Sequence, residues 1–390
     1  MKTKSRKLAA PPLRTWLEID GAALRHNLAF LRATVKRHAG KAPAPRLIAM
    51  VKSHAYGHGM PIVPEILRRL PDAVIGLADL DELRAYRASG KERDPAPVFL
   101  SSPVLPQELE EVLSLRGWPV LSTHAEAATL AKAAQKLGPD AVAEAHFKVD
   151  TGMGRLGLPP AEAAKELSRI LAHLPRVRIV GIMTHFASAD SDNAKTRRQL
   201  ALFGKFRALF PRLPWHAANS AGLLHHPRAV AGAAWVRPGL ALYGLPPRPA
   251  DAKHLRPILS WKARVTFVRK AAAGTTVSYG ATYTLPQAQT LATVSVGYGD
   301  TYPRHLSNNA DVLIGGVRCP IRGRVTMDQI VVDASRVPAR KLHAGAEAVL
   351  LGRQGKQEIT ADELAKRADT ISYEIVTGTS LKLPRVYRNF

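Results

Sequence analysis

From about residue 46 to residue 243 the chain alternates between short apolar runs and amphipathic helical stretches, which narrows its fold more than any other feature. Strands are expected at 46–52, 74–78, 97–101, 119–122, 142–149, 178–185, 214–218 and 234–241. Between them, Pro64 to Leu70, then Leu105, Leu109, Val112 and Leu113, fall at helical spacing. So do Leu167, Ile170, Leu171 and Leu174, and further on Leu200, Phe203 and Phe206. The strand runs read as continuously apolar, as strands buried on both faces do. Eight strand–helix alternations in roughly 200 residues predict a (β/α)8 barrel of the TIM type. A doubly wound open sheet is the competing arrangement.

The texture then changes. Residues 244–257 form a proline-rich linker that cannot extend a helix or a central strand. After it come β-rich runs at 259–269, 275–279, 290–297, 310–314, 317–322, 328–333 and 347–352, with Gly315-Gly316 the clearest turn. One late helix is signalled by a capping box, Thr360-Ala361-Asp362-Glu363, before Leu364. The expected organisation is a basic N-terminal arm over 1–13, a barrel over 14–257 that includes the linker, and a mostly β domain over 258–390. No internal repeat or low-complexity tract interrupts it.

Composition excludes several classes. Hydrophobic residues make up 46% and charged residues 22%, as in a globular protein. No apolar run approaches the roughly 20 residues of a membrane span. The basic start, with Lys2, Lys4, Arg6, Lys7 and Arg14, is followed by Pro11 and Pro12 rather than by the apolar core of a secretory signal. Cys319 is the only cysteine, so no internal disulfide forms, in keeping with a reducing compartment. A net charge of +25 implies salt-dependent adhesion to polyanions. The cations are nevertheless spread along the whole chain, and only 6% of residues are aromatic, so no stacking surface for specific nucleic-acid binding is expected.

In a barrel of this kind chemistry collects at the C-terminal ends of the strands. The first strand ends in Lys52, followed by Ser53-His54-Ala55-Tyr56-Gly57-His58-Gly59. A lysine at the rim of an apolar strand is partly desolvated, which lowers its pKa and fits its amine for bonding to an aldehyde. Its competing reading is a strand-end lysine reaching out to water. Other strands end in Lys148-Val149-Asp150, Thr184-His185-Phe186, His216-Ala217-Ala218-Asn219-Ser220 and Val236-Arg237-Pro238-Gly239-Leu240. The last two loops are where such barrels often bind phosphate, with the Ser220 hydroxyl and the amides near Gly239 and Leu240 available. An amine, a phosphate cradle and nearby cations are what pyridoxal 5′-phosphate requires.

Three other motifs match their patterns only in part. Gly152-x-Gly154-x-x-Gly157 matches a dinucleotide fingerprint, but residues 172–182 lack the acidic partner expected about 20 positions on. His54 and His58 lack the helix and intervening Glu of a zinc site, and no metal is expected. Ala218-Asn219-Ser220-Ala221-Gly222 lacks the first glycine of a hydrolase elbow.

These segments together resemble the alanine racemases. The resemblance runs from about residue 14 to Arg385 and rests on Val51-Lys52 with Ala55 to Gly59, Asp150 to Gly157, and Arg237-Pro238-Gly239 with Tyr243-Gly244. Val277 to Tyr283, Gly297 to Asp300, Gly323-Arg324 with Met327-Asp328, and Ser372-Tyr373-Glu374 extend it through the β domain. It implies a cytoplasmic homodimer that interconverts L- and D-alanine with pyridoxal phosphate and supplies D-alanine for peptidoglycan. Lys52 would bind the cofactor and act as one catalytic base, on D-alanine. Tyr279 from the partner subunit would be the other, on L-alanine. Inverting a Cα requires removing a proton on one face and returning one on the other, so two groups must flank the cofactor.

By the same resemblance Arg237 would face the pyridine nitrogen. Arg155 and the Met327 amide would hold the substrate carboxylate. Tyr56, Asn219, Ser220, Gly239, Leu240 and Tyr373 would contact the cofactor, mostly at its phosphate, and His185 would support the ring. Lys148 matches a position carbamylated in some relatives. The chain departs from the family pattern at Ser53-His54, at Thr326 and at Gly299 beside the channel tyrosine Tyr298. Alternatives are a broad-specificity racemase, a decarboxylase of similar architecture and a non-catalytic pyridoxal phosphate-binding barrel.

Overall fold

The computed structural model describes residues 13–89, 96–379 and 381–390; the expected basic arm, apart from Leu13, lies outside them. The chain divides into two compact units, one of Gly21–Arg256, the other of Pro257–Phe390 together with the residues up to Asp20.

Residues 14–20 were expected with the barrel but belong to the second unit. Their strand β1 (Thr15–Asp20) has Trp16, Leu17 and Ile19 buried, and its edges find partners only there. One edge runs antiparallel to a strand at Leu259–Ala271 and the other parallel to one at Arg385–Arg388.

The first unit is a barrel. Its strands are β2 (Arg46–Met50), β3 (Val74–Leu77), β4 (Val98–Leu100), β5 (Gly117–Trp118), β6 (Val120–Leu121), β7 (Ala143–Lys148), β8 (Val177–Met183), β9 (Trp215–His216) and β10 (Trp235–Val236). They pair in parallel as two arcs, β10-β2-β3-β4-β5 and β6-β7-β8-β9. Pro119, which has no N–H to donate, separates β5 from β6; its carbonyl accepts the His146 N–H at 2.9 Å and carries the ladder across. On the other side, Ala234 N–H donates to Trp215 O at 2.9 Å and Arg237 N–H to Ala218 O at 2.8 Å. Counting β5 and β6 as one interrupted strand, all eight expected strands close the barrel, and helices such as Val63–Arg69, Pro160–His173 and Asn193–Ala208 lie between them.

The proline-rich segment is packed onto this barrel rather than strung between bodies. Buried Asn27, on the helix Gly21–Ala39, donates to Leu242 O and Arg256 O and accepts the Arg256 N–H. Asp251, also buried, accepts from His225 Nε2 and from the Arg248 N–H at 2.9 Å each.

The second unit is mostly β, as expected. Its strands are β11 (Leu259–Ala271), β12 (Thr276–Val277), β13 (Tyr283–Thr284), β14 (Gln289–Val294), β15 (Asp311–Ile314), β16 (Val317–Pro320), β17 (Ile330–Asp333), β18 (Glu347–Gln354), β19 (Gln357–Ile359) and β20 (Arg385–Arg388). A nine-stranded sheet follows the order β16-β15-β18-β11-β1-β20, with β14, β17 and β19 branching from it. Gly315 and Gly316, both with positive φ, make the β15–β16 turn. The late helix spans Ala361–Arg367 with Thr360 as its cap, but only half of the expected box forms: Glu363 pairs with Arg318 and Arg367 instead of reaching back. The expected run at 275–279 shortens to Thr276–Val277, because the chain turns at Ser278.

Candidate active site

Lys52 leaves the end of β2 at Val51 and opens a left-handed turn. Ser53, His54, Ala55 and Tyr56 have φ between 52° and 55°, though none is glycine. Such a conformation costs roughly 1–2 kcal/mol per residue, and the turn persists because its surroundings hold it. The Glu82 carboxylate accepts the Ser53 N–H with one oxygen and the Ala78 N–H, at 2.7 Å, with the other. The Tyr243 hydroxyl donates to Met50 O at 2.8 Å, and its ring stacks on Tyr56 and on His58 at centroid distances of 4.9 and 4.5 Å. The strand end that carries Lys52 is thus clamped from both sides.

Burial lowers the Lys52 pKa, Arg155 lowers it further, and Glu82 opposes the shift. Lys148, buried at the end of β7, is pulled down to about 8 by burial and then by Arg237, Arg155 and Lys52, against Asp150. These four cations are neighbours, and none forms an ion pair among the described residues. A cluster of one sign with two buried members, Lys148 and Arg237, calls for an anionic ligand.

Arg237, only 4% exposed, is the most constrained member. It donates to His216 Nδ1 at 2.6 Å, Thr184 O at 2.9 Å, Ala217 O at 3.1 Å and His185 Nδ1 at 3.3 Å. Burial and the Arg237 charge hold His185 and His216 well below the ordinary histidine value, so both rings are neutral acceptors.

Beside this cluster lies a cradle. Ser220 Oγ accepts the N–H groups of Gly239 and Ala241 at 3.0 and 3.2 Å. The buried Leu240 N–H between them has no acceptor among the described residues. A Cβ on Gly239 would stand 2.5 Å from the Tyr56 hydroxyl, so only glycine lets that phenol approach. An orphaned amide, a serine hydroxyl and a phenol at one spot fit a phosphate. The Asn219 side-chain oxygen caps the helix Ser220–His225 by accepting the Gly222 N–H at 2.8 Å.

The glycine-rich loop after β7 is not a phosphate binder. The Asp150 carboxylate accepts the N–H groups of Gly152, Met153 and Gly154 at 2.8 Å each, consuming the donors a pyrophosphate would need. This loop presents Arg155, which is exposed. His58 is equally committed, its Nδ1 directed at the carbonyls of Ala55 and Tyr56.

Tyr279, Met327 and Tyr373 belong to the second unit. Tyr279 follows Ser278, whose φ is +63° and whose hydroxyl donates to Arg324 O at 2.7 Å, and its ring is 74% exposed. Met327 is 61% exposed, and its N–H has no acceptor among the described residues. Its carbonyl accepts the Gly299 N–H at 2.7 Å, where a Cβ would lie 2.7 Å from the same oxygen; the departure at Gly299 is therefore required by this loop. Tyr373, on the helix Ser372–Thr377, is partly exposed.

Sequence reasoning missed His146, Thr184, Glu82 and the hydrogen-bonding role of His216. His146 was findable: it precedes Lys148 by two on β7, so both point to the barrel interior.

The chain was compared with known proteins. The alanine racemase N-terminal domain family matches residues 19–247 and the alanine racemase C-terminal domain family residues 258–387. The alanine racemase of Methylacidiphilum infernorum is 43% identical over 378 residues, covering 97% of this chain and 93% of that relative. The solved alanine racemase of a D-cycloserine-producing Streptomyces lavendulae superposes with a TM-score of 0.87 at 33% identity, covering 98% of each chain. That of Bartonella henselae, solved with covalently bound pyridoxal phosphate, gives 0.84 at 27% identity and covers 97% of this chain and 100% of its own.

Proposed function

This chain belongs to the alanine racemase family, and from that premise we propose that its barrel mouth and Tyr279 of a second copy make up one active site. The protein is a pyridoxal 5′-phosphate-dependent isomerase that interconverts L-alanine and D-alanine. The observation that carries the site assignment is the desolvated Lys52 amine on a clamped turn, in a cation cluster beside the Tyr56–Ser220–Gly239 cradle.

Pyridoxal 5′-phosphate, when bound, supplies an aldehyde carbon that links to amines and a conjugated ring that draws electrons from the substrate Cα. Tyr56, Ser220, Gly239 and Leu240, with Tyr373, hold its phosphate. Lys52 would hold the cofactor at its aldehyde carbon, and its amine would take the Cα proton of D-alanine. Burial and the Arg155 charge lower its pKa, which favours the neutral, basic form of the amine. Tyr279 takes the corresponding proton of L-alanine on the opposite face. Whichever base has not accepted a proton returns one, and the configuration inverts.

Arg237 would face the pyridine nitrogen. Because a guanidinium gives up its proton reluctantly, that nitrogen would stay unprotonated and the electron sink would be weakened, which would limit side reactions such as transamination. His185 supports the ring and Arg237 together. Arg155 and the Met327 amide hold the substrate carboxylate. Lys148 fits carbamylation: with its pKa near 8 the neutral amine adds carbon dioxide and releases a proton, leaving an anion among the cations. Intact-protein mass spectrometry with and without bicarbonate tests that step.

The 74% exposure of Tyr279 supports the shared site, since a base in water serves poorly until another surface covers it. A homodimer supplies that surface. We place the reaction in the cytoplasm, where it supplies D-alanine for peptidoglycan; the lone Cys319 suits that compartment. No helix among the described residues is long and apolar enough to cross a membrane. Tyr279→Phe tests the two-base assignment: cofactor binding persists, while deuterium uptake at Cα starting from L-alanine is lost. Normal racemisation by that variant overturns it.

A further inference from the structure

One buried titratable group in the barrel core has no part in this mechanism. His146 is fully buried on β7, with its Nδ1 2.9 Å from His216 Nε2. Rings of Phe99, Trp118 and Trp235 surround it at centroid distances of 5.1, 5.2 and 5.5 Å, and its Nε2 has no hydrogen-bond partner among the described residues. Room is reserved for it, since a Cβ on Gly181 would stand 2.8 Å from His146 Nδ1. A buried N–H facing only aromatic rings is destabilising, so packing alone does not call for histidine here.

The protons along this chain of groups follow from one fact: arginine can only donate. His216 Nδ1, which faces Arg237, must therefore be a bare lone pair, and the proton of His216 must sit on Nε2. That N–H needs an acceptor, and among the described residues His146 Nδ1, at 2.9 Å, is the one within reach. His146 then carries its own proton on Nε2, toward the rings.

We propose that His146 is a positioning residue that accepts the His216 Nε2–H and so, together with the Arg237 donor on the other side, holds His216 in the one neutral tautomer able to accept from Arg237. The relay aims the guanidinium without lending it a negative charge, so its full positive charge stays directed at the ligand. Burial pushes His146 down to about 3, so it does not feed a proton into the relay at working pH. The catalytic consequence rests on the reading that Arg237 faces the cofactor ring; the tautomer itself does not.

The test is 15N NMR of histidine-labelled apoenzyme and holoenzyme, which reports the protonated nitrogen of each ring. In the unmodified protein both His146 and His216 are expected to be neutral and protonated at Nε2. A cationic His216, or one protonated at Nδ1, overturns the proposal without any variant. His146→Leu leaves the His216 Nε2–H buried without an acceptor, a cost that offsets the pull of the Arg237 donor on the other side, so a second tautomer or a turned His216 ring becomes populated. In that variant kcat falls about tenfold for one lost hydrogen bond, KM moves little, and the cofactor absorbance becomes pH-dependent. His146→Asn places a carbonyl where Nδ1 was and restores most of each property. An unchanged His216 tautomer in a folded His146→Leu protein overturns the proposal. If the tautomer shifts while kcat and absorbance hold, the relay stands and the assignment of Arg237 to the cofactor ring falls.

Discussion

The barrel mouth and the loop region around Tyr279 and Met327 present their functional groups in opposite ways. At the barrel mouth the groups are interlocked: Arg237 is spent on four acceptors, the Lys52 turn is clamped by Glu82 and Tyr243, and Tyr56 fits only because residue 239 is glycine. In the second unit the backbone is also held, by the Ser278 hydroxyl on Arg324 O and by Gly323, where a Cβ would stand 2.5 Å from Val277 O, yet Tyr279 and Met327 are exposed. One region is preorganised to receive a rigid anionic ligand; the other is a rigid mount for groups that become useful only when covered. On the proposed reading a single copy holds the cofactor, and a second copy completes the proton transfers.

Lys52→Ala gives the largest effect predicted by this contrast. Turnover should fall by about 10⁴-fold or more, since one residue supplies both attachment and a base. Borohydride reduction should then leave no cofactor on the chain, as read by mass spectrometry.

Tyr279→Phe comes next, with a loss of about 10²–10⁴-fold in the L-to-D direction. Because that ring is exposed, its thermal unfolding should stay within about 0.5 kcal/mol of the parent. A large destabilisation would mean that Tyr279 is a core residue, and the contrast would collapse.

Gly239→Ala probes the cradle. The new methyl meets the Tyr56 hydroxyl at 2.5 Å, an overpacking worth about 1–3 kcal/mol. Cofactor affinity measured by absorbance titration should fall by roughly tenfold or more.

The smallest effect concerns stability. In carbon dioxide-free apoenzyme Lys148 titrates near 8 when folded and near about 10.4 when unfolded. Below pH 8 both states hold the proton and the burial penalty is constant. Between about pH 8 and 10 the unfolded state binds more protons, so stability rises with pH, by at most about 3 kcal/mol. Lys148→Met should flatten that rise in denaturant midpoints; an unchanged slope would place the titrating group elsewhere.

Much of this was legible in the sequence for a physical reason. Barrel strands buried on both faces read as apolar runs, so all eight were expected in place, and the polar residues ending them marked the rim. Strand β1 was misassigned because its partners lie some 240 and 370 residues away, beyond any local pattern. The left-handed turn left no trace either, since Ser53-His54-Ala55-Tyr56 contains no glycine and depends on Glu82 and Tyr243, which are distant in sequence. The capping box at Thr360 was half right because Arg318 and Arg367 compete for Glu363. The exposed Tyr279 was legible only through family resemblance, as nothing in its neighbours distinguishes it from a packed strand residue.

The central claim, that each site combines Lys52 of one subunit with Tyr279 of the other, is tested most directly by mixing two inactive variants. Lys52→Ala and Tyr279→Phe chains, unfolded and refolded together, should form hybrid dimers in which one site has both bases intact. Recovered racemase activity should approach about a quarter of the parent level in a symmetric dimer. Activity no higher than that of the separate variants, with hybrids demonstrated by mass spectrometry, would contradict it.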